Sequence, residues 1–261
     1  MPNLKDLKGR IESVKSTRKI TAAMKMVAAA KLRKSQESAE AARPYASRMD
    51  RILGSLAQSL GGSSGGSSLL IGTGKREQYL LVAFTADRGL CGGFNSSIVK
   101  YVRARRAELE LEGKSVKVLF IGKKAHDILK RELGENVIDV VTGIGKKGVE
   151  FSEGQEIATK IMQLFSENDF DVCSIIFNKF KSAMTQIVTD QQLIPFSAAP
   201  NYGGSEDPSI EEDKLSTAVE ASYIFEPDEE EILTELLPQN IAVQVFQAML
   251  ESAASEHGAR M

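Results

Sequence analysis

The sequence predicts an α/β domain, with a mostly parallel sheet flanked by helices, that carries an N-terminal helix too long to be contained within it. Three observations lead there. Residues 4–60 hold a single proline, Pro44, among strong helix formers such as Ala22-Ala23-Met24-Lys25-Met26 and Ala28-Ala29-Ala30-Lys31-Leu32. Short segments rich in Val, Ile, Leu and Phe then alternate with helical segments, the rhythm of a doubly wound sheet. A helical pattern returns at Glu229 and runs to Met261.

The first helix must protrude on dimensions alone. About 55 residues at 1.5 Å each make about 80 Å of helix. A compact domain of this chain length has a radius of gyration of about 18 Å, hence a diameter of about 45–50 Å. Leu4, Leu7, Ile11 and Val14 follow the 3-4-3 spacing of a coiled-coil seam. The same register then reaches Arg18, Thr21 and Lys25, and a weaker stripe of Ile20, Ala23, Met24, Val27 and Ala30 is expected to take over. Small residues bury little area, and a lone basic helix does not stay ordered in water, so this one needs a partner. Pro44 removes one backbone hydrogen bond and is expected to bend the helix near Arg43.

A Gly/Ser linker occupies residues 61–68. Strands are expected at Tyr79–Thr85, Val116–Ile121, Val137–Val141, Val172–Phe177 and Thr185–Thr189, the last two paired as a hairpin. Helices are expected at Asn95–Leu111, Lys123–Leu133 and Glu153–Phe165. The C-terminal helix offers Ile241, Val245, Ala248, Met249 and Ala253 as an apolar stripe for the first helix, and it reaches Met261 without a stop signal, which reads as a truncated helix. The chain thus divides into a stalk helix at 1–60, an α/β base at 61–227 and an incomplete second stalk helix at 228–261.

Charge is even overall and uneven along the chain. Lys and Arg number 33 against 35 Asp and Glu, a net −2, which gives no support to nucleic-acid binding. Residues 1–51 hold 13 basic and 5 acidic side chains, net +8, whereas residues 201–235 hold 12 acidic ones and Lys214, net −11. The two ends are therefore suited to different partners. Two cysteines are too few for a disulfide framework. No run approaches the 18 or so apolar residues of a membrane span, and Met1-Pro2-Asn3-Leu4-Lys5-Asp6 lacks the apolar core of a secretion signal.

An alternating α/β chain invites nucleotide chemistry, and each candidate motif fails. Asp87-Arg88-Gly89-Leu90-Cys91-Gly92-Gly93-Phe94-Asn95 sits where a phosphate loop belongs, but its glycines do not have the G-x-G-x-x-G spacing. Gly72-Thr73-Gly74-Lys75 has Arg76 where a P-loop needs Ser or Thr, and Leu69 where it needs glycine. Gly143-Ile144-Gly145-Lys146-Lys147-Gly148 fits by spacing, yet it leads into Val149-Glu150-Phe151 and reads as a turn. Cys91 near a helix start could serve as a thiolate nucleophile, but its only candidate bases are His126 and His257, on other helices. No cluster of metal ligands appears, and no cofactor is expected. The opposing reading, a nucleotide-binding enzyme with a helical arm, rests on these failed loops.

Three stretches together resemble the γ family of F-type ATP synthases. They are Thr17-Arg18-Lys19-Ile20-Thr21-Ala22-Ala23-Met24-Lys25-Met26-Val27-Ala28-Ala29-Ala30-Lys31-Leu32-Arg33-Lys34, the Thr85–Asn95 turn, and Ala254-Ser255-Glu256-His257-Gly258-Ala259-Arg260-Met261. The resemblance implies that the terminal helices form an antiparallel coiled coil inside a hexamer of α and β subunits. The base would then meet the ε subunit (δ in mitochondrial naming) and the ring of membrane c subunits. It implies a non-catalytic rotor that couples proton flow to ATP synthesis or hydrolysis. By motif, Met24 and Lys25 look like the part facing an acidic loop of β, with Lys19, Lys31, Arg33 and Lys34 adding charge, and Glu256 and Arg260 lying opposite. Asp87, Arg88, Gly89, Cys91, Gly92 and Gly93 form the base-domain turn, and Tyr202, Gly203, Gly204 and Glu206 resemble the foot on the c-ring. Family members continue beyond the residue that matches Met261. The expected location is the cytoplasmic face of a bacterial plasma membrane, or alternatively the matrix side of the mitochondrial inner membrane.

Overall fold

A computed structural model describes residues 3–59, 68–146, 148–196 and 229–261. The expected foot at Tyr202, Gly203, Gly204 and Glu206, most of the linker and the acidic stretch up to residue 228 lie outside the described residues. The first helix, α1, spans Leu4–Ser59 without interruption, and Pro44 lies within it. A single turn, α2 (Ser68–Ile71), leads to β1 (Gln78–Phe84). There follow α3 (Phe94–Leu111), β2 (Ser115–Ile121), α4 (Lys123–Leu133), β3 (Val137–Val141) and α5 (Phe151–Ser166). The hairpin β4 (Val172–Phe180) and β5 (Gln186–Ile194) precedes α6 (Glu229–Ala259).

The sheet has the order β3-β2-β1-β4-β5. Its first four strands are parallel, and β5 runs antiparallel to β4, as the hairpin predicts. Helices cover both faces, which is why β1 reads as a continuous apolar run. Its alternate residues divide between two cores. Leu80, Val82 and Phe84 pack with Ile157, Ile161, Val245 and Met249 of α5 and α6, while Leu81 and Ala83 pack with Ile98, Val102 and Leu129 of α3 and α4.

One expectation about the stalk needs correction. The stripe of Ile241, Val245, Ala248 and Met249 does not meet α1; it lies in the core beneath the sheet. An apolar stripe goes to the largest apolar surface available, and the sheet outweighs a helix of alanines. α1 instead meets a second row of α6: Leu233 and Leu237 against Met49, Leu53 and Leu56, then Gln244 against Asp50, then Glu251 against Arg43. As numbers rise in α6 they fall in α1, so the pair is antiparallel.

From Ala28 onward the buried residues of α1 lie on the first stripe. Continuing steps of three and four from Leu4 through Arg18, Thr21 and Lys25 lands on Ala28 and Leu32, and then on Ala39, Ala46, Met49, Leu53 and Leu56, all buried. Burial therefore follows that register from Ala28 to Leu56. Ile20 and Val27, from the expected replacement stripe, are exposed. From residue 3 to residue 27 only Met24 is even partly covered, and Leu4 and Val14 remain 76% and 68% exposed. That stretch extends about 36 Å at helical rise.

Candidate functional site

In a doubly wound sheet, ligands bind in the crevice outside the carboxyl ends of the strands, where the strand order reverses. Here the reversal falls between β1 and β4, and α6 crosses that mouth. Ser255 Oγ donates to Asn178 O at 2.8 Å, at the end of β4. The Arg260 guanidinium donates to Gly89 O at 3.0 Å and to Arg88 O at 3.5 Å, in the turn after β1. Ala259 packs on Ala86, Cys91 and Phe94. A stalk helix thus fills the place where such a fold would hold a nucleotide.

The turn after β1 is self-contained. The Asp87 carboxylate accepts N–H groups from Lys123, at the start of α4, at 3.2 Å and from Gly143 at 2.8 Å. A helix N-terminus attracts anions, and here a fixed carboxylate stands where a phosphate would be held. Asn95 Oδ1 accepts from Ala86 N, and Asn95 Nδ2 donates to Cys91 Sγ. Gly92 has φ +50 and comes close to Ala259: a Cβ there would lie 3.2 Å from its carbonyl oxygen. Arg88 and Gly93 are exposed. Residues 143–146 also form a turn, with Gly145 N–H donating to the Glu153 carboxylate. Burial pushes the Cys91 thiol up from its ordinary value, contrary to what a thiolate nucleophile needs. No group of three or more His, Cys, Asp or Glu suited to a metal occurs among the described residues.

The basic residues expected on the stalk occupy one zone. Lys19, Lys25, Lys31, Arg33 and Lys34 are exposed and Met24 is half-buried. Arg33 pairs with Glu37 at 3.1 Å along the helix surface. Glu256 and Arg260 do not stand free: they pair with each other at 2.6 Å, and Arg260 is committed to the turn. Sequence reasoning missed what joins stalk to base. Glu251, 1% exposed, accepts from Arg43 Nε at 2.9 Å and from Phe180 N at 2.9 Å. Asn178, equally buried, donates to Phe94 O and accepts from Ser97 Oγ. Stepping by sevens from Leu237 through Gln244 to Glu251 would have indicated that this face meets α1.

His257 lies where α6 faces Lys31 of α1, and its Nδ1 has no hydrogen-bond partner. Burial first, then Lys31 and Arg260, lower its pKa from 6.5 to about 4. Between those values the unfolded chain takes up a proton that the folded chain refuses, so stability falls as pH falls through that window. His257→Gln is expected to narrow the loss of urea midpoint between neutral pH and pH about 4.5. An unchanged loss would show that the buried imidazole is not its source.

A family profile described as ATP synthase matches residues 3–261. The ATP synthase gamma chain of Paramagnetospirillum magneticum is 52% identical over 261 residues, which is 100% of this chain and 85% of that protein. The gamma chain of Rhodospirillum rubrum is 51% identical, with 100% and 86% covered. Among solved structures, the central stalk and c-ring assembly of the Tetrahymena thermophila mitochondrial ATP synthase holds a similar chain, with a TM-score of 0.65, 28% identity, and 92% of this chain and 96% of that one covered. This chain belongs to the ATP synthase gamma-chain family.

Proposed function

We propose that this chain is the rotating shaft of a proton-translocating F-type ATP synthase and carries no catalytic site of its own. The observation that carries the reading is the plugged mouth: α6 is at once a stalk helix and the element filling the crevice where an α/β enzyme would bind substrate. A helix so used ties the stalk to the base. The partners are the α and β subunits around the stalk, ε at the base, and the membrane c-ring. Rotation of the ring turns the base, and the protruding helix favours a different β conformation at each angle, which couples distant sites through a rigid element. No helix among the described residues is long and apolar enough to cross a membrane. The similarity to bacterial gamma chains supports a place at a bacterial plasma membrane, on its cytoplasmic side and held there through its partners.

The β-facing zone is assigned to Lys19, Met24, Lys25, Lys31, Arg33 and Lys34, bordered by Glu256 and Arg260. A uniformly cationic, weakly apolar surface suits a sliding contact, because screened surface charges give attraction without fixed geometry. In the assembled complex, Met24→Lys is expected to lower the number of protons pumped per ATP hydrolysed. Unchanged pumping per ATP would remove Met24 from the contact. The rotor reading itself is tested by a bead on the base domain, which should turn in one direction during ATP hydrolysis; a stationary bead would overturn it.

A further inference from the structure

Arg43, Glu251 and Phe180 close a ring across three elements. Arg43 of α1 donates to Glu251 of α6 through Nε at 2.9 Å, with its terminal nitrogen 2.8 Å from the same oxygen. The other Glu251 oxygen accepts the N–H of Phe180, the last residue of β4, at 2.9 Å. The Phe180 carbonyl accepts from Arg43 at 3.4 Å. The backbone of one residue at the end of the sheet is thus gripped at both its N–H and its carbonyl, by the acid of one stalk helix and the guanidinium of the other. The Glu251 side chain is 2% exposed and that of Arg43 is 39% exposed.

We propose that this ring is the joint that transmits torque from base to stalk, with Glu251 and Arg43 as positioning residues that set the angle of α1 against the sheet. The inference rests on the rotor reading above. The neighbouring seam explains the need. Between Leu32 and Met49 the buried apolar seam residues of α1 are Ala39 and Ala46, which allow close approach but offer few protruding atoms to resist sliding or rolling. Paired, directional hydrogen bonds between charged groups resist both motions. Being buried, the carboxylate is not screened by salt as a surface pair is. The ring also sits at the plugged mouth, close to Gly258, where a Cβ would lie 3.2 Å from the Phe180 ring. Displacing Phe180 would disturb α6 twice.

The test uses the whole membrane complex with a probe on the base and another on the free part of α1. Arg43→Ala leaves a buried carboxylate and risks poor folding, so the deciding variant is Arg43→Met with Glu251→Gln. The glutamine oxygen still accepts the Phe180 N–H, and the methionine stem fills the space of the arginine stem. In this variant the angular fluctuation between the two probes is expected to broaden, and protons pumped per ATP to fall about five-fold, with thermal stability of the complex retained. Restoring Arg43 beside Glu251→Gln is expected to recover part of the loss, since a neutral acceptor remains. Normal fluctuation and normal pumping in an assembled, rotating complex would overturn the joint while leaving the rotor reading intact. If the unmodified complex does not rotate at all, the rotor reading fails instead.

Discussion

Replacing Gly122 with alanine is expected to destabilise the base domain by more than about 4 kcal/mol, a large part of the stability of an ordinary domain. Gly122 joins β2 to α4 at φ 97 and ψ 147, a region open essentially to glycine. Conformation is the smaller part of the effect. A Cβ at this position would lie 1.9 Å from the carbonyl oxygen of Thr85 and 2.6 Å from its carbonyl carbon. Those atoms cannot yield, because the exits of neighbouring strands are tied together there. Thr85 N donates to Ile121 O at 2.7 Å, Gly122 N to Val141 O at 2.8 Å, and Lys124 N to Ala86 O at 3.1 Å. Any shift would carry the Asp87 turn with it, and so the seat of Arg260. Gly113→Ala is the control: φ is +77, but nothing lies within 4 Å, and a cost of about 1–2 kcal/mol is expected. Urea unfolding of the two variants separates collision from backbone preference. Equal midpoints would mean that the strand exits move apart freely.

That collision was not legible from sequence, and the reason is general. A sequence shows periodicity within an element and says little about where two separate elements approach. Strands β1 and β2 were legible because helices bury both their faces, leaving unmistakable apolar runs. Strands β4 and β5 were read short, ending at Phe177 and Thr189 where they reach Phe180 and Ile194. Most of the missing residues are polar, and several have partners supplied by the fold. Asn178 is satisfied by Phe94 and Ser97, and Asp190 accepts from Tyr101 and lies 3.7 Å from Arg105. Burial pushes the Asp190 carboxyl up from its ordinary value, the mark of an acid held inside by such partners. Without those partners, the same residues read as loop.

The stalk shows both outcomes. Its length, its basic charge and its need for a partner followed from composition and helical rise. The partner surface did not, because the strongest apolar stripe of α6 belongs to the sheet. The motifs behind the family resemblance at Thr17–Lys34 and Ala254–Met261 both lie on the stalk, so the resemblance drew attention to Glu256 and Arg260. Arg43 and Glu251 are 208 residues apart in sequence, and the heptad step that reaches Glu251 marks its face without naming its partner.

Leu53→Ala is expected to cost about 2–5 kcal/mol, the range for a leucine removed from a closed core, and to loosen the whole stalk. Leu53 is fully buried in the cluster where Met49, Leu53 and Leu56 meet Leu233 and Leu237. Farther up, the buried seam is mostly small, Ala46, Ala39 and Ala28 with Leu32 between the last two, and beside the cluster Gln244 donates to Asp50 at 2.9 Å. The apolar area that holds α1 to α6 is therefore concentrated at the foot. Ala39→Gly removes far less surface and is expected to cost about 1 kcal/mol, mostly from helix propensity. Hydrogen exchange along α1 is the measurement. With Leu53→Ala, protection should fall along α1 from Ala28 to Leu56 together, because the alanine seam cannot hold the helix once its foot is released. With Ala39→Gly, the loss should stay local. Equal and local losses in both variants would mean that the stalk is held evenly along its length. A shaft fastened at the root, locked in angle at Arg43 and Glu251, and slender above can turn closely against a partner while remaining fixed to its base.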